Sequence, residues 1–322
     1  MRAPRRVPAL ALTLVHLTLL ASCHDGATPA SSARPEAPPS PPREAPAAAV
    51  RYVIGGDSRG DTAHVIPWAF HEAKDRGVAA FIFLGDMEVS PDLDDHFRDQ
   101  LAQLAPIPFF PVLGNHEGVR RARGAATTRD QRVPAIAAFR GRFLGKPQTP
   151  VESVFDDQIV YSVDLPGGVH FVALDNVSQP GFGPEQLAWL GKDLERAHAA
   201  PGKTHLIVAM HKPFAGNGIT DHAMDEDGPA GAADSAAALA LCEHAGVELI
   251  VGSHFHGFAE YVQHGIRSFI TGGLGAPLDI APTKDGKEHG FHHLLVVGVP
   301  VEGALTVEVV RFPGPPALGR DD

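Results

Sequence analysis

Three short apolar runs, Val50–Gly55, Ala79–Leu84 and Phe109–Leu113, alternate with two stretches of helical spacing. In Thr62–Arg76 the residues Ile66, Phe70 and Ala73 recur on one face, with Asp61 or Thr62 as the cap and Gly77 as the stop; Asp94–Leu104 supplies the second helix. Strands separated by helical segments pair with parallel neighbours while the helices cover the sheet. The pattern therefore predicts βαβαβ. Further strands are predicted at Ile159–Asp164, Val169–Asp175, Thr204–Met210, Val247–Gly252, Ile266–Thr271, Leu294–Val299 and Leu305–Arg311, and helices at Pro184–Ala199 and Ala232–His244. This is more strand than one doubly wound sheet usually carries, so the expected fold is α/β with two stacked mixed sheets.

Polar residues cluster where these runs end. The first closes in Gly56-Asp57-Ser58-Arg59, the second in Gly85-Asp86 and the third in Gly114-Asn115-His116-Glu117; later runs close in His211 and in Gly252-Ser253-His254-Phe255-His256. In open α/β sheets the carboxyl edge is where ligands bind, and glycine there lets the chain turn sharply enough to aim a side chain into the crevice. Taken singly, Gly-Asp is a turn and a lone histidine is hydrogen-bonded structure. Five such ends on one edge point to a ligand site.

In this order the motifs resemble those of the calcineurin-like metallophosphoesterases, nearest to the purple acid phosphatase-like branch. The resemblance runs from Tyr52 to Gly275 and takes in Tyr161-Ser162, Val169-His170-Phe171, Leu174-Asp175-Asn176, Gln186–Leu190 and Thr271–Ala276. It implies a four-layer α/β/β/α sandwich that hydrolyses phosphate esters with two metal ions. By the same resemblance Asp86 would bridge the ions, Asn115, His211 and His254 would complete one shell, and Asp57 and His256 would hold the other ion. Such a mix of carboxylate, amide and imidazole suits Mn, Fe, Zn or Co better than Ca. His116, beside a ligand rather than one itself, would be the general acid for the leaving oxygen or a stabiliser of transition-state charge.

The sequence departs from the family pattern in several places. Arg59 stands where the first motif usually has His, and a guanidinium cannot coordinate a metal. The Asp57 ion would then be weakly held unless Asp61, His64 or water replaces the ligand, or the site would keep one ion while Arg59 clamps phosphate; pairing of Arg59 with a structural carboxylate is the plain alternative. No Tyr lies near Asp57 to give a coloured phenolate ligand. Val89 stands where related protein phosphatases carry an Asp that orients the catalytic His, which leaves Glu88 or Glu117 for that task. Ser253 takes the place of the usual Gly before the last pair of histidines.

The N-terminus carries a different kind of signal. Arg2, Arg5 and Arg6 precede the apolar stretch Val7–Ala21, which fits a signal peptide over residues 1–22 better than a membrane span. Leu20-Ala21-Ser22-Cys23 resembles a bacterial lipobox, implying a lipid anchor on Cys23, export to the cell envelope, and outer-membrane sorting in a Gram-negative cell because His24 follows. Residues 23–49 are rich in Pro, Ala and Ser and read as an extended tether, followed by a domain at 50–313 and a tail at 314–322. Cys242 is then the one other thiol, expected to be buried and inert on a helix.

A formal charge of −11 repels polyanions and weighs against a nucleic-acid surface, while leaving room for a small phosphate ester held by metal charge. The acidic, glycine-rich stretch Gly216–Asp234 reads as a solvated loop or a lid; Arg120, Arg121 and Arg123 read as a solvated loop or an anion attractor; His289, His292 and His293 are not expected to be ligands. Three functions remain open on this reading. They are a phosphomonoesterase or phosphodiesterase, a degenerate fold that binds phosphate or a partner without turnover, and a hydrolase of phosphoproteins or nucleotide-type pyrophosphates.

Overall fold

The computed structural model describes residues 50–314 apart from 62, 88–90, 118–127, 203–204 and 280–282. The residues of the expected leader and tether, Cys23 among them, and Thr62, Glu88, Val89, Arg120, Arg121 and Arg123 lie outside the described residues. Among those described, no helix is long and apolar enough to cross a membrane.

The first half of the chain builds one sheet with its helices: β1 (Val50–Gly55), α1 (Val65–Asp75), β2 (Ala80–Phe83), α2 (Pro91–Leu104), β3 (Phe109–Pro111) and α3 (Arg129–Phe143). The second sheet is built from β4 (Tyr161–Leu165), β5 (Val169–Ala173), α4 (Pro184–Ala199), β6 (His205–Ala209), a short 3-10 helix (Met224–Asp227), α5 (Gly228–Ala245), β7 (Leu249–Gly252), β8 (Phe258–Gln263) and β9 (Ile266–Thr271). The chain then returns to the first sheet through β10 (His293–Val299) and β11 (Thr306–Arg311). Strand order is β11-β10-β1-β2-β3 in one sheet and β4-β5-β6-β7-β9-β8 in the other. Each has a parallel centre, and antiparallel pairs form where the chain doubles back.

Register explains the layers. In the first sheet Val53, Phe81 and Phe109 lie side by side, as do Ile54, Ile82 and Phe110 on the opposite face. Phe81 meets Phe70 of α1 edge-on at 5.1 Å, Phe109 lies 6.4 Å from Phe97 of α2, and Phe110 faces Phe171 of the second sheet at 6.5 Å. In the second sheet Phe171, Ile207 and Leu249 join the inter-sheet core, while Val172, Val208 and Ile250 pack with Leu190, Leu194, Leu239 and Cys242 of α4 and α5. The period-two alternation of each strand thus fills both interfaces. The result is the expected α/β/β/α order, with burial pushing the Cys242 thiol up to about 12.

Besides the 3-10 helix, two elements, α3 and β8, have no counterpart in the sequence reading. Only Ile136, Phe139 and Phe143 of α3 are buried among arginines, Pro134 and Gly141. In β8 the buried and exposed positions of an edge strand replace a continuous apolar run. The three late histidines pair with protein rather than solvent: His289 Nδ1 with Phe258 O at 2.5 Å, His292 Nδ1 with Gly273 O at 3.0 Å, and His293 Nε2 with Thr271 Oγ1 at 3.0 Å.

A buried ionic cluster ties β4 and β5 to α4. His170 Nδ1 lies 2.8 Å from Asp164 and Nε2 lies 2.9 Å from Asp193, which also accepts from Ser162 Oγ at 3.0 Å and from Arg196. Burial disfavours the imidazolium, but the bonds and charges of Asp193 and Asp164 outweigh it and hold the His170 pKa above its ordinary 6.5. Burial likewise opposes ionisation of Asp193, yet bonds from His170 and Arg196 hold its pKa below 3.8. The cluster's contribution is therefore full between those ordinary values and fades as pH rises through the raised His170 pKa. His170→Ala should destabilise the fold by about 3 kcal/mol near pH 6, since it removes one cationic partner of the buried Asp193 carboxylate and leaves it only Arg196 and Ser162. Denaturant unfolding should show this penalty shrinking toward pH 9; a penalty independent of pH would mean that packing, not charge, is what His170 contributes.

Candidate metal centre

The predicted metal-ligand and catalytic residues converge at the carboxyl edge where the two sheets meet. Gly56 N donates to Thr271 O at 3.0 Å, fastening the end of β1 to β9 of the other sheet, and Asp57 N donates to Gly85 O at 3.0 Å. The crossing is tight: a Cβ on Gly114 would sit 2.1 Å from Asp86 N, so only glycine lets the chain leaving β3 turn against Asp86, three residues past β2. Asp57, Arg59, Asp86 and His254 all hold positive φ, at 60°, 47°, 58° and 66°. Each such residue costs roughly 1–3 kcal/mol, and strain gathered in this way marks a site whose surroundings over-determine it.

Asp86 joins two groups of donors. Asp86, His211 and His254 present ligand atoms within 4.8 Å of one another, and so do Asp57, Asp86 and His256. Asn115 Oδ1 lies 2.8 Å from His211 Nε2, which is 3.4 Å from Asp86 Oδ1 and 3.2 Å from His254 Nδ1.

Protonation decides what these contacts can be. His211 Nδ1 points at Leu84 O from 2.8 Å, a carbonyl that can only accept, so the one proton of a neutral ring sits there. Burial pushes the His211 pKa down to about 3, so the ring is neutral and Nε2 carries a lone pair. His254 Nε2 faces Glu226 Oε2 at 3.0 Å, and His256 Nδ1 faces Pro277 O at 2.7 Å, so in the neutral tautomers that these acceptors select, His254 Nδ1 and His256 Nε2 carry the lone pairs. Asn115 Oδ1, Asp86 Oδ1, His211 Nε2 and His254 Nδ1 are then four acceptors facing one another without a proton among them. A cation satisfies such a set.

The other group carries the same signature. Asp57 is fully buried, with Oδ2 accepting from His254 N at 2.9 Å while Oδ1 has no hydrogen-bond partner. Burial and the nearby Asp86 carboxylate both push its pKa well up. His256 Nε2 is 3.6 Å from that Oδ1. The residues present fit an ion here as well, with fewer protein donors than in the first group.

His116 flanks both groups. Its N–H donates to Asp86 Oδ1 at 2.9 Å and its Nε2 lies 3.7 Å from Asp86 Oδ2, with the side chain partly open to the mouth. Glu117 Oε2 accepts from Asp86 N at 2.8 Å and Gly114 N at 3.1 Å, so that oxygen braces the backbone. Arg59 also stays at the site, where its charge acts on Asp57 and His256. Ser253 Oγ donates to Leu84 O at 2.8 Å, giving the residue in the usual glycine position a role in holding the crossing.

Some expectations need correction. Asp61 does not replace the missing ligand, because its carboxylate accepts from the N–H groups of Ala63, His64, Val65 and Ile66 at 3.2, 3.0, 2.6 and 3.2 Å. It serves the start of α1, where anions are favoured, and the His64 side chain is 78% exposed beside it. Three acids of Gly216–Asp234 are engaged rather than solvated, while Asp221 stays 73% exposed: Asp227 pairs with Lys212 at 2.9 Å, Asp234 accepts from Phe182 N and Gly183 N at 2.8 Å, and Glu226 reaches His254. Glu226 and His222, whose ring lies 5.7 Å from that of His254, are site residues that the strand-end pattern missed.

The sequence model of the calcineurin-like phosphoesterases matches residues 53–258, which span every one of these donors. The chain belongs to the calcineurin-like phosphoesterase family. Family membership supports metal-dependent phosphoester hydrolysis as its general chemistry. Among solved structures, this calcineurin-like phosphoesterase is similar to a dimetal phosphatase from Danio rerio, with 14% identity, TM-score 0.59, and coverage of 82% of this chain and 96% of that one. It is also similar to GAP50 of Plasmodium (13% identity, TM-score 0.57, 82% and 85% covered) and to PhoD (13%, 0.54, 84% and 70%). At such identities these likenesses establish the fold alone. No curated protein sequence matches the chain.

Proposed function

We propose that the chain hydrolyses small phosphate esters, monoesters or diesters, at a site holding two Mn, Fe or Zn ions, in the manner of the purple acid phosphatase-like branch. The observation that carries this is the pair of proton-free donor groups sharing Asp86. Asp86, Asn115, His211 and His254 would hold one ion, and Asp57, Asp86 and His256 the other, more weakly because Arg59 stands in place of a ligand. When bound, such ions supply Lewis acidity and a nucleophile from water near neutral pH. The protein's own part is positional: Arg59 binds the phosphate oxygens, and His116 gives its proton to the leaving oxygen.

The test is metal content of the purified full chain together with hydrolysis of an aryl phosphate monoester and diester, before and after chelation and with Mn restored. Close to two ions per chain and turnover that chelation removes and Mn restores are expected. Arg59 also supports a second reading, a phosphate- or partner-binding protein without turnover. That reading gains if no metal restores activity while phosphate still binds. Unchanged turnover and unchanged affinity in Arg59→Ala would dismiss the phosphate clamp.

A further inference from the structure

The bare Nδ1 of His254 depends on a residue that no strand end delivers. We infer that Glu226, on the 3-10 helix, is a positioning residue for metal binding that fixes the tautomer and aim of His254. The inference rests on the proposal that His254 is a ligand. His211 and His256 have their outer nitrogens held by backbone carbonyls of Leu84 and Pro277, whereas His254 uses the Glu226 carboxylate, 3.0 Å from Nε2. A carboxylate accepts and does not donate, so the proton is placed on Nε2 and the lone pair on Nδ1, toward His211 and Asp86. The His254 backbone itself is strained, at φ 66°.

Glu226 is in turn held from behind. Lys212, buried and directly after His211, places Nζ 3.6 Å from Glu226 Oε2 and 2.9 Å from Asp227 Oδ1. Asp227 Oδ2 accepts from Gly181 N at 3.2 Å, and Met224 N donates to Pro213 O at 2.9 Å. The short helix is thus pinned at several points to the strand end that supplies His211. This arrangement is a carboxylate–histidine pair behind a metal position, built by a segment whose composition alone suggests a solvated loop. His222, Glu226 and His254 also bring ligand atoms within 4.8 Å of one another, so direct binding of a further cation by Glu226 is the competing outcome.

The experiment is Mn titration of the chelator-stripped full chain against a competing chelator, for wild type, Glu226→Ala, Glu226→Gln, His254→Ala and the double variant Glu226→Ala/His254→Ala. Glu226→Ala should weaken one class of Mn site by roughly 10- to 100-fold, the usual cost of losing an outer partner of a ligand. Glu226→Gln keeps an acceptor oxygen and should recover most of that loss. In the His254→Ala background the Glu226 substitution should have no further effect, because Glu226 acts through His254. At saturating Mn the kcat of Glu226→Ala should return toward wild type. Unchanged Mn affinity in a folded Glu226→Ala chain overturns the inference, as does an undiminished effect in the His254→Ala background, or loss of a third equivalent of Mn with Glu226. A wild-type chain that binds no Mn fails the metal-centre proposal itself and is distinguishable from all of these.

Discussion

Asp57→Asn should make the metal-free chain more stable and the metal-loaded chain nearly inactive. Asp57 has 0% exposure and one oxygen without a partner, and it shares its surroundings with Asp86. A buried charge left uncompensated costs several kcal/mol, and Asn removes the charge at equal size while its side-chain oxygen can still accept from His254 N. A gain of about 2 kcal/mol in the metal-free state is expected, because the replacement amide is itself imperfectly paired. The sign with pH follows from the raised pKa: wild type is penalised increasingly as pH climbs above the ordinary carboxylate value of 3.8, so the gap should open toward neutrality and close in acid. Thermal unfolding in chelator at several pH values measures this.

With Mn added the order should reverse, since only the wild type recovers the binding energy of the Asp57 ion by mass action. Turnover should fall by at least the roughly 10- to 100-fold that losing an outer-shell partner of a ligand costs, because Asp57 is proposed as a ligand itself. A variant that is less stable without metal would show that the carboxylate is compensated by the protein and is not reserved for a cation.

Why the strand ends were legible, and Glu226 was not, comes down to how each residue reaches the site. Asp57, Asp86 and Asn115 are placed by short-range rules: an apolar run, a glycine, then the donor. The same runs were overread by a residue or two. Leu84 is apolar and extends the run of β2, yet it lies past the strand because His211 Nδ1 and Ser253 Oγ take its carbonyl. Glu226, by contrast, meets His254 across 28 residues, from a stretch whose glycines and acids resemble a solvated loop. Its role depends on tertiary placement by buried Lys212, which no periodicity encodes.

The same distinction applies to the rest of the fold. The limits of β1, α4 and β9 follow from uninterrupted patterns. In α3 three buried residues at 136, 139 and 143 have helical spacing, but Pro134 just before them and the arginines and glycine between them dilute the signal. Asp61 was read either as a cap or as a spare ligand, and four backbone N–H groups settle that choice in favour of the helix. Metal-site character was thus written in residue type and order, whereas the carbonyls and the carboxylate that keep the lone pairs bare are visible only in three dimensions.

His116→Ala should lower kcat by roughly 10²- to 10⁴-fold, the range of general acid–base catalysis, while leaving metal content intact. The separation is expected because the contact that involves the shared carboxylate is the His116 backbone N–H, 2.9 Å from Asp86 Oδ1, and alanine keeps it. What alanine removes is an imidazole whose Nε2 stands 3.7 Å from Asp86 Oδ2 at the partly open mouth, where a leaving group would depart. If the ring acts by giving up a proton, the loss should be larger for an alkyl phosphate than for an aryl ester, whose leaving oxygen departs readily as an anion. An equal loss on both substrates would assign the ring to stabilising transition-state charge instead. Loss of metal together with activity would place His116 among the ligands, and the division of labour between Asn115 and His116 would have to be redrawn.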